Sequence, residues 1–202
     1  MARSLSIAAY LASLGSADGH STPVTHPRRS EGTIIWARCS NPDQLTAVET
    51  LERKLSAEGD PIHVIATLHK WQPEHAPRAL PEPRGKDSIR RFIGHWQPAM
   101  CIWISGDLDA LLMTEIRKAG LLSILVDATS DGLETVAGRW VPGAIRSLLS
   151  EFEAIWALDQ QAADRLLRAG APEERILITG AMEDCAPTLP CNEAERSELA
   201  RA

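Results

Sequence analysis

The feature of this chain that most constrains its fold is a regular alternation of short apolar runs and helical patterns. The apolar runs have the length of strands and lie at residues 33–39, 62–68, 99–104, 122–128, 154–158 and 175–179. Several are apolar at almost every position, which is typical of strands covered on both faces in a parallel sheet. The alternation therefore predicts an α/β fold with a Rossmann-like parallel sheet flanked by helices.

Helical patterns fill most of the intervals between these runs. The clearest follows Pro42 and places four apolar residues on one helical face, namely Leu45, Val48, Leu51 and Leu55. Further helices are predicted at 87–96, 108–119, 142–152 and 160–169. Residues 69–85 contain several prolines and no periodic pattern, so this interval predicts a long loop without regular elements.

Composition and charge argue against several classes of function. The chain has 202 residues and a formal net charge of -6, and this acidic balance argues against broad nucleic-acid binding. It contains no GxGxxG after a strand, no GxxxxGK[ST], no GxSxG and no HExxH. Its four cysteines show no CxxC pair and no metal-ligand spacing, which predicts no metal site and a reducing, cytoplasmic compartment.

The N-terminal segment has two open interpretations. Residues 1–15 predict a short amphipathic helix, and residues 15–32 form a connector rich in Ser, Gly, Pro, His and Arg. The helix either packs on the domain or makes peripheral contact with a membrane surface, because no apolar run reaches the roughly 18–20 residues of a membrane-spanning helix. The predicted organisation is an N-terminal helix and connector at 1–32, a Rossmann-like lobe at 33–184, and the start of a linker at 185–202.

In such a sheet, ligands bind beyond the carboxyl ends of the strands, so the segments that follow the strands hold the candidate site residues. After the first strand comes Ser40-Asn41-Pro42-Asp43. These residues suit a helix start, with Asn41 as N-cap, Pro42 at N1 and Asp43 at N2. Asp43 is also placed to act as a catalytic carboxylate, although a helix N-terminus stabilises its charged form and so weakens it as a base.

The later strand ends supply the remaining candidates. Ser105-Gly106-Asp107-Leu108-Asp109 follows the third apolar run. Either a helix start or hydrogen bonds that Asp107 or Asp109 accepts from sugar hydroxyls would account for its residues. Residues 127–132 predict a polar turn that contains Thr129, and Gly180 ends the last strand. The histidines at positions 63, 69, 75 and 95 show no ordered ligand spacing and are predicted to be solvent or loop residues. Whether Arg38, Arg90 and Arg91 form a phosphate-binding patch is left open, with solvation favoured for Arg90 and Arg91.

These segments form an ordered series. The series consists of Trp36-Ala37-Arg38-Cys39-Ser40-Asn41-Pro42-Asp43, then Arg90-Arg91-Phe92, residues 104–111, residues 126–131, residues 163–171, and Ile178-Thr179-Gly180-Ala181. In order and spacing it resembles the N-terminal half of the Kdo transferases (3-deoxy-D-manno-octulosonic acid transferases) of lipopolysaccharide synthesis. The corresponding family segments are W-x-H-A-x-S-V-G-E, R-R-F, a strand ending in M-E-T-E-L-W-P-N, V-N-A-R-L-S, a helix of A-x-R-x-x-x-x-G-A type, and V-T-G-N.

The resemblance implies a GT-B glycosyltransferase with two Rossmann-like lobes and an active site in the cleft between them. This chain would be the N-terminal lobe, which binds a lipid A precursor as acceptor, and a C-terminal lobe would bind the donor CMP-Kdo. Localisation would be cytoplasmic, with peripheral contact at the inner membrane. No cofactor or metal is implied, because CMP is a good leaving group that basic groups and helix N-termini can stabilise.

The resemblance also implies roles for individual residues. A sugar hydroxyl is a poor nucleophile, so a carboxylate must take its proton as the hydroxyl attacks the anomeric carbon. Asp43 stands where the family has its glutamate, one methylene shorter by roughly 1.5 Å. The acceptor contacts implied by the resemblance involve seven other strand-end residues, namely Ser40, Asn41, Ser105, Gly106, Asp107, Thr129 and Gly180. The chain departs from the family where Ser105 replaces one acid of the E-T-E pair and Thr129 replaces an arginine.

Three functional hypotheses follow. The first is the acceptor-binding lobe of an active Kdo transferase, and the second is a diverged, non-catalytic relative that binds lipid, sugar or a partner enzyme. The third is an unrelated flavodoxin-like domain, but the chain has no phosphate loop to support FMN binding. A second Rossmann-like half encoded beyond Ala202 would favour the first hypothesis over the second.

Overall fold

The computed structural model describes residues 29, 31–59, 61–105, 108–129 and 143–182. The predicted N-terminal helix at 1–15 and the predicted linker at 185–202 lie outside these residues. The central feature of the described part is one sheet whose strands all run parallel, in the order β3-β2-β1-β4-β5-β6-β7. The strands are β1 (Thr33–Cys39), β2 (Ile62–Leu68), β3 (Leu80–Pro81), β4 (Met100–Ile104), β5 (Leu122–Ala128), β6 (Ala154–Ala157) and β7 (Ile176–Ile178). This sheet confirms the predicted Rossmann-like α/β fold.

The helices of the described part alternate with the strands, as the sequence predicts. They are α1 (Gln44–Ala57), α2 (Lys86–Trp96), α3 (Ala110–Lys118), α4 (Ala144–Leu149) and α5 (Gln160–Arg168). Short 3-10 turns lie at Pro73–His75 and Glu173–Arg175. Three strands have the predicted bounds, and the other bounds differ by one to three residues at an end.

The prediction of a long loop without regular elements at 69–85 is wrong. The interval contains the 3-10 turn Pro73–His75 and the edge strand β3, which pairs with the end of β2 through Thr67 opposite Leu80 and Leu68 opposite Pro81. A two-residue strand that contains proline has too few positions to show a period, so the pattern could not reveal it.

The two faces of the sheet are covered differently. On the first face, helices α2, α3, α4 and α5 pack over one side of the strands around Trp36 and Trp103. The Trp36 ring lies 4.7 Å from the Phe92 ring, measured between centroids. On the second face, α1 packs Leu45 and Val48 against the strands. Because β1 is central, its side chains are buried on both faces, which explains its continuous apolar sequence.

The strand order determines where a ligand site is expected. The chain winds outward from β1 to β2 and β3, then crosses back to β4 on the other side of β1. In doubly wound sheets, ligands bind at this reversal, beyond the carboxyl ends of the two strands. A ligand site is therefore expected at the carboxyl ends of β1 and β4. We call the rim of the sheet where the strands end the carboxyl edge.

Candidate functional site at the carboxyl edge

A buried group of charged side chains lies at the carboxyl ends of β1, β2 and β3. Arg38, near the end of β1, is fully buried, and its Nε donates to Glu82 Oε2 at 2.7 Å. The other oxygen of Glu82 lies 2.8 Å from Nδ1 of His69, which follows β2. The guanidinium of Arg38 also lies over the Trp103 ring, 4.5 Å from its centroid. A buried arginine keeps its charge, so this arrangement pairs that charge with a carboxylate and an aromatic face.

These contacts answer one open question and correct one prediction. Arg38, whose environment the sequence left open, is buried against Glu82 and separated from Arg90, whose Nε binds Glu115 at 2.7 Å on the helical side of the first face. His69 is not a free loop histidine, because its Nδ1 meets Glu82 and the side chain is 29% exposed. A charged residue inside an apolar strand is the one signal of this group, but no pattern identifies a partner 44 positions away.

Ser40 joins this group to the end of β4. Its Oγ accepts a hydrogen bond from Arg38 Nη1 at 3.1 Å and lies 3.3 Å from the carbonyl oxygens of Ile104 and Ser105, to which its proton can be donated. The backbone of Ser105 has φ 56°, a left-handed conformation that is unusual for a residue with a side chain. The structure thus brings the predicted residues Ser40 and Ser105 into contact at the reversal of the sheet.

The start of α1 is organised by Asn41 and Gln44. Asn41 Oδ1 accepts from the Gln44 amide N–H at 3.3 Å, and Gln44 Oε1 accepts from the backbone N–H groups of Ser40 and Asn41 at 2.7 and 3.3 Å. This is the reciprocal pattern of a capping box, so Asn41 caps the helix as predicted. The assigned helix begins at Gln44, and Asp43 precedes it with a helical backbone, φ -63° and ψ -32°. The Asp43 side chain makes no cap hydrogen bond and is exposed, so a capping role does not occupy its carboxylate.

The remaining predicted residues are distributed along the same edge. Gly106 and Asp107 lie outside the described residues. Thr129 is half-buried directly after β5. Asp109 is the N-cap of α3, where its Oδ1 accepts from the Leu112 amide at 2.9 Å, which confirms the helix-start interpretation for this acid.

Gly180 lines an apolar groove on the second face of the sheet. The groove has a volume of about 580 Å³ and lies between α1 and strands β4 to β6. Where the groove meets the end of β5, Asp127 Oδ1 accepts a hydrogen bond from the backbone N–H of Met182 at 2.7 Å. Asp127 belongs to β5 rather than to the predicted polar turn, and its φ of 50° is again left-handed. The groove shows that the carboxyl edge adjoins an apolar surface over β5.

The described residues supply neither a reactive thiol nor a metal site. Burial raises the pKa of Cys39 to about 12, partly offset by the nearby Arg38 charge, and burial likewise raises the pKa of Cys101 to about 12. No group of three or more His, Cys, Asp or Glu side chains in the described ranges is arranged to hold a metal ion. In the same ranges, no helix is both long and apolar enough to cross a membrane. The chemistry available at the carboxyl edge is therefore that of carboxylates, an imidazole, hydroxyls and a buried arginine.

Comparison with protein families gives a match over most of the chain. The family model described as 3-deoxy-D-manno-octulosonic-acid transferase (kdotransferase) matches residues 19–183. A search of curated proteins finds no match.

Solved structures with similar folds include UDP-GlcNAc 2-epimerases. The enzyme from Neisseria meningitidis bound to UDP-GlcNAc has a TM-score of 0.53 at 10% identity, over 84% of this chain and 53% of that one. The enzyme from Methanocaldococcus jannaschii has a TM-score of 0.51 at 13% identity, over 84% and 53%. The enzyme from Rickettsia bellii has a TM-score of 0.52 at 9% identity, over 76% and 46%. At these identities the likeness shows the fold, that of a lobe of a GT-B protein, and this chain spans about half the length of these structures.

Proposed function

Because the chain belongs to the family of 3-deoxy-D-manno-octulosonic-acid transferases, we propose that it is the acceptor-side, N-terminal lobe of a glycosyltransferase. The reaction is transfer of Kdo from CMP-Kdo to a lipid A precursor in lipopolysaccharide synthesis. The observation that carries the proposal is the family match over residues 19–183. The donor nucleotide belongs to a second, C-terminal lobe, because GT-B enzymes bind their two substrates in the cleft between lobes.

In this proposal, the carboxylate of Asp43 takes the proton of the acceptor hydroxyl. Its exposure at the first turn of α1, beside the reversal of the sheet, leaves it accessible to a substrate. As the O–H bond breaks, the oxygen forms a bond to the anomeric carbon of Kdo, and CMP departs with the electron pair of the broken glycosidic bond. Ser40, Asn41 and Ser105 contact the acceptor, and Gly106, Asp107, Thr129 and Gly180 complete the acceptor site.

A second residue competes with Asp43 for the position of the family glutamate. The family segment W-x-H-A-x-S-V-G-E has nine positions, and a count without a gap from Trp36 ends at Gln44. The two residues differ along a helix by roughly 1.5 Å of rise and 100° of rotation. Gln44 is buried, its oxygen binds two backbone N–H groups, and an amide cannot serve as a base. This observation favours the alternative function, a diverged relative that binds lipid, sugar or a partner enzyme without catalysis.

The experiment that tests the proposal is transfer from CMP-Kdo to a lipid A precursor by the longest reading frame that contains this sequence. The variant Asp43→Ala should lose activity by roughly 10²- to 10⁴-fold, the usual contribution of a positioned base. The matched control is Asp164→Ala, which removes an exposed carboxylate on α5. Retained activity in Asp43→Ala would remove this residue from the mechanism.

Gln44→Glu separates the two alignments. Glutamate keeps the acceptor oxygen that binds the Ser40 and Asn41 amides, so the fold of the segment should be preserved. A rise in transfer on this substitution would assign the base position to residue 44. A folded, two-lobed protein that forms no product, with or without Gln44→Glu, would favour the non-catalytic alternative.

We also propose peripheral contact of residues 1–15, which lie outside the described part, with the cytoplasmic face of the inner membrane. The support is their amphipathic sequence. Deletion of residues 1–15 should weaken binding to anionic or lipid A-containing vesicles. Equal binding of the deleted and complete chains would contradict this contact.

A further inference from the structure

The buried carboxylate of Glu82 holds the His69 ring in one orientation. The Glu82 side chain is 2% exposed. One of its oxygens lies 2.7 Å from Arg38 Nε, and the other lies 2.8 Å from His69 Nδ1. His69 is only partly covered, with 29% of its side chain exposed. One edge of the imidazole therefore faces a buried anion, while part of the ring reaches solvent beyond the end of β2.

The charges in this group determine which nitrogen carries the proton. Arg38 and Glu82 form a neutral buried pair, so the imidazole is not required to be charged. An ionised carboxylate can only accept, so the short contact to Glu82 requires a proton on Nδ1. The Nη2 group of Arg38 lies 3.4 Å from the same nitrogen and would need a lone pair there, but this contact is longer and weaker. The shorter contact prevails, which leaves Nε2 without a proton in the neutral ring.

His69 lies at the carboxyl edge, one strand away from the reversal of the sheet, and its side chain is partly exposed there. Within the described residues, Nε2 of His69 makes no hydrogen bond. Its ring is linked through Arg38 and Ser40 to the carbonyl of Ser105 at the reversal of the sheet. Similar buried carboxylate–imidazole pairs hold histidines in a defined tautomer where a hydrogen bond or proton must be received.

From this geometry we propose that His69 is a substrate-binding residue whose Nε2 accepts a hydrogen bond from a hydroxyl group of the acceptor sugar. Glu82 is its positioning residue, because it sets the tautomer without reaching the ligand. The inference rests on the proposed function for the identity of the ligand. The tautomer of His69 depends on this chain alone and can be measured without any reaction.

The first test determines the tautomer. Two-dimensional ¹⁵N–¹H spectra of the ¹⁵N-histidine-labelled protein should show the His69 proton on Nδ1 at neutral pH. A proton on Nε2 at neutral pH, with or without one on Nδ1, would overturn the proposal. Addition of a lipid A precursor should move the Nε2 resonance of His69 and leave that of His63 in place. His63 is the internal control because it lies near the amino end of β2, at the opposite edge of the sheet from His69, with 43% of its side chain exposed.

The second test uses two substitutions that separate binding from a structural role. In His69→Asn, the side-chain amide can replace Nδ1 beside Glu82 but does not extend to the position of Nε2. In His69→Gln, the longer side chain can bring its oxygen to the position of Nε2. Loss of one neutral hydrogen bond should raise the KM for the acceptor roughly 3- to 10-fold in His69→Asn with kcat unchanged, and His69→Gln should recover part of this loss.

The outcomes distinguish this inference from the function on which it rests. Recovery by asparagine but not by glutamine would show that the residue acts only on the fold and would overturn the binding role. A fall in kcat with KM unchanged would also overturn it, because the residue would then act in the chemical step. If the enzyme transfers no sugar but the acceptor still shifts the His69 resonance, the proposed function fails and the binding role stands. Absence of that shift overturns the binding role.

Discussion

The buried ion pair between Arg38 and Glu82 gives the sharpest prediction about stability. In Glu82→Gln, the shape of the side chain is kept but the charge is lost, so a fully buried guanidinium has no counter-ion. In addition, the two oxygens of Glu82 accept from Arg38 and His69, but glutamine has one oxygen and one NH₂ group. Its NH₂ group must therefore face one of these two donors. Two unit charges 4 Å apart attract by about 4 kcal/mol at an effective dielectric constant of about 20.

This energy agrees with the destabilisation that is usual when one partner of a buried ion pair is removed. We expect Glu82→Gln to lower the free energy of unfolding by about 3–5 kcal/mol, and Tm by roughly 6–20 °C for a chain of this length. Urea unfolding followed by tryptophan fluorescence would measure the change. The double variant that also carries Arg38→Met should recover part of the loss, because it removes the uncompensated charge.

The control is an ion pair of similar geometry at the surface. Arg78 Nε lies 2.6 Å from Glu49 Oε1, with 41% and 46% of the two side chains exposed. Water and salt screen such a pair, so Glu49→Gln should leave the unfolding midpoint nearly unchanged. If Glu82→Gln shifts the midpoint no more than Glu49→Gln does, the view that burial makes the first pair indispensable is refuted.

Two further predictions concern other buried groups. Burial alone would raise the pKa of Glu115, but hydrogen bonds from a lysine and an arginine outweigh it and hold that pKa below the ordinary 4.5. The stabilisation of the fold by ionised Glu115 is therefore complete above its ordinary pKa of 4.5 and is lost as the pH falls through the lowered pKa of the folded state. Glu115→Gln should lower the free energy of unfolding by about 1 kcal/mol at neutral pH and make it less sensitive to acid. Urea unfolding at each pH would measure both effects, and an unchanged acid response would contradict this. Burial raises the pKa of both Cys39 and Cys101 to about 12. Iodoacetamide at about pH 8 should therefore modify these two thiols far more slowly in the native than in the urea-unfolded protein. Peptide mass spectrometry would measure the rates, and similar rates in the two states would contradict the prediction.

The sheet could be predicted from sequence wherever apolar runs are long and bounded by turn residues. The bounds of β1, β2 and β5 agree with the prediction to the residue, because each is a mostly apolar run of seven residues. Strand β3 could not be predicted, since its two residues are held in place by the end of β2 and not by any pattern of their own.

The candidate site was only partly predictable for a related reason. Contact between Ser40 and Ser105 follows from topology, because the carboxyl ends of neighbouring parallel strands meet at one edge. The group formed by Arg38, His69 and Glu82 depends on three segments brought together by the fold, and no local spacing in the sequence records that contact. The catalytic role of Asp43 stays a prediction until transfer is measured.

The two ends of the sheet differ in a way that bears on how it could be extended. At one end, β3 is two residues long and contains Pro81, which has no N–H to offer to a neighbouring strand. At the other end, β7 is three residues long, and within the described residues its Leu177 and Ile178 are 57% and 51% exposed. Addition of a further strand, from this chain or from another protein, is therefore directional: Pro81 disfavours it beside β3, whereas no strand of the described residues occupies the outer side of β7.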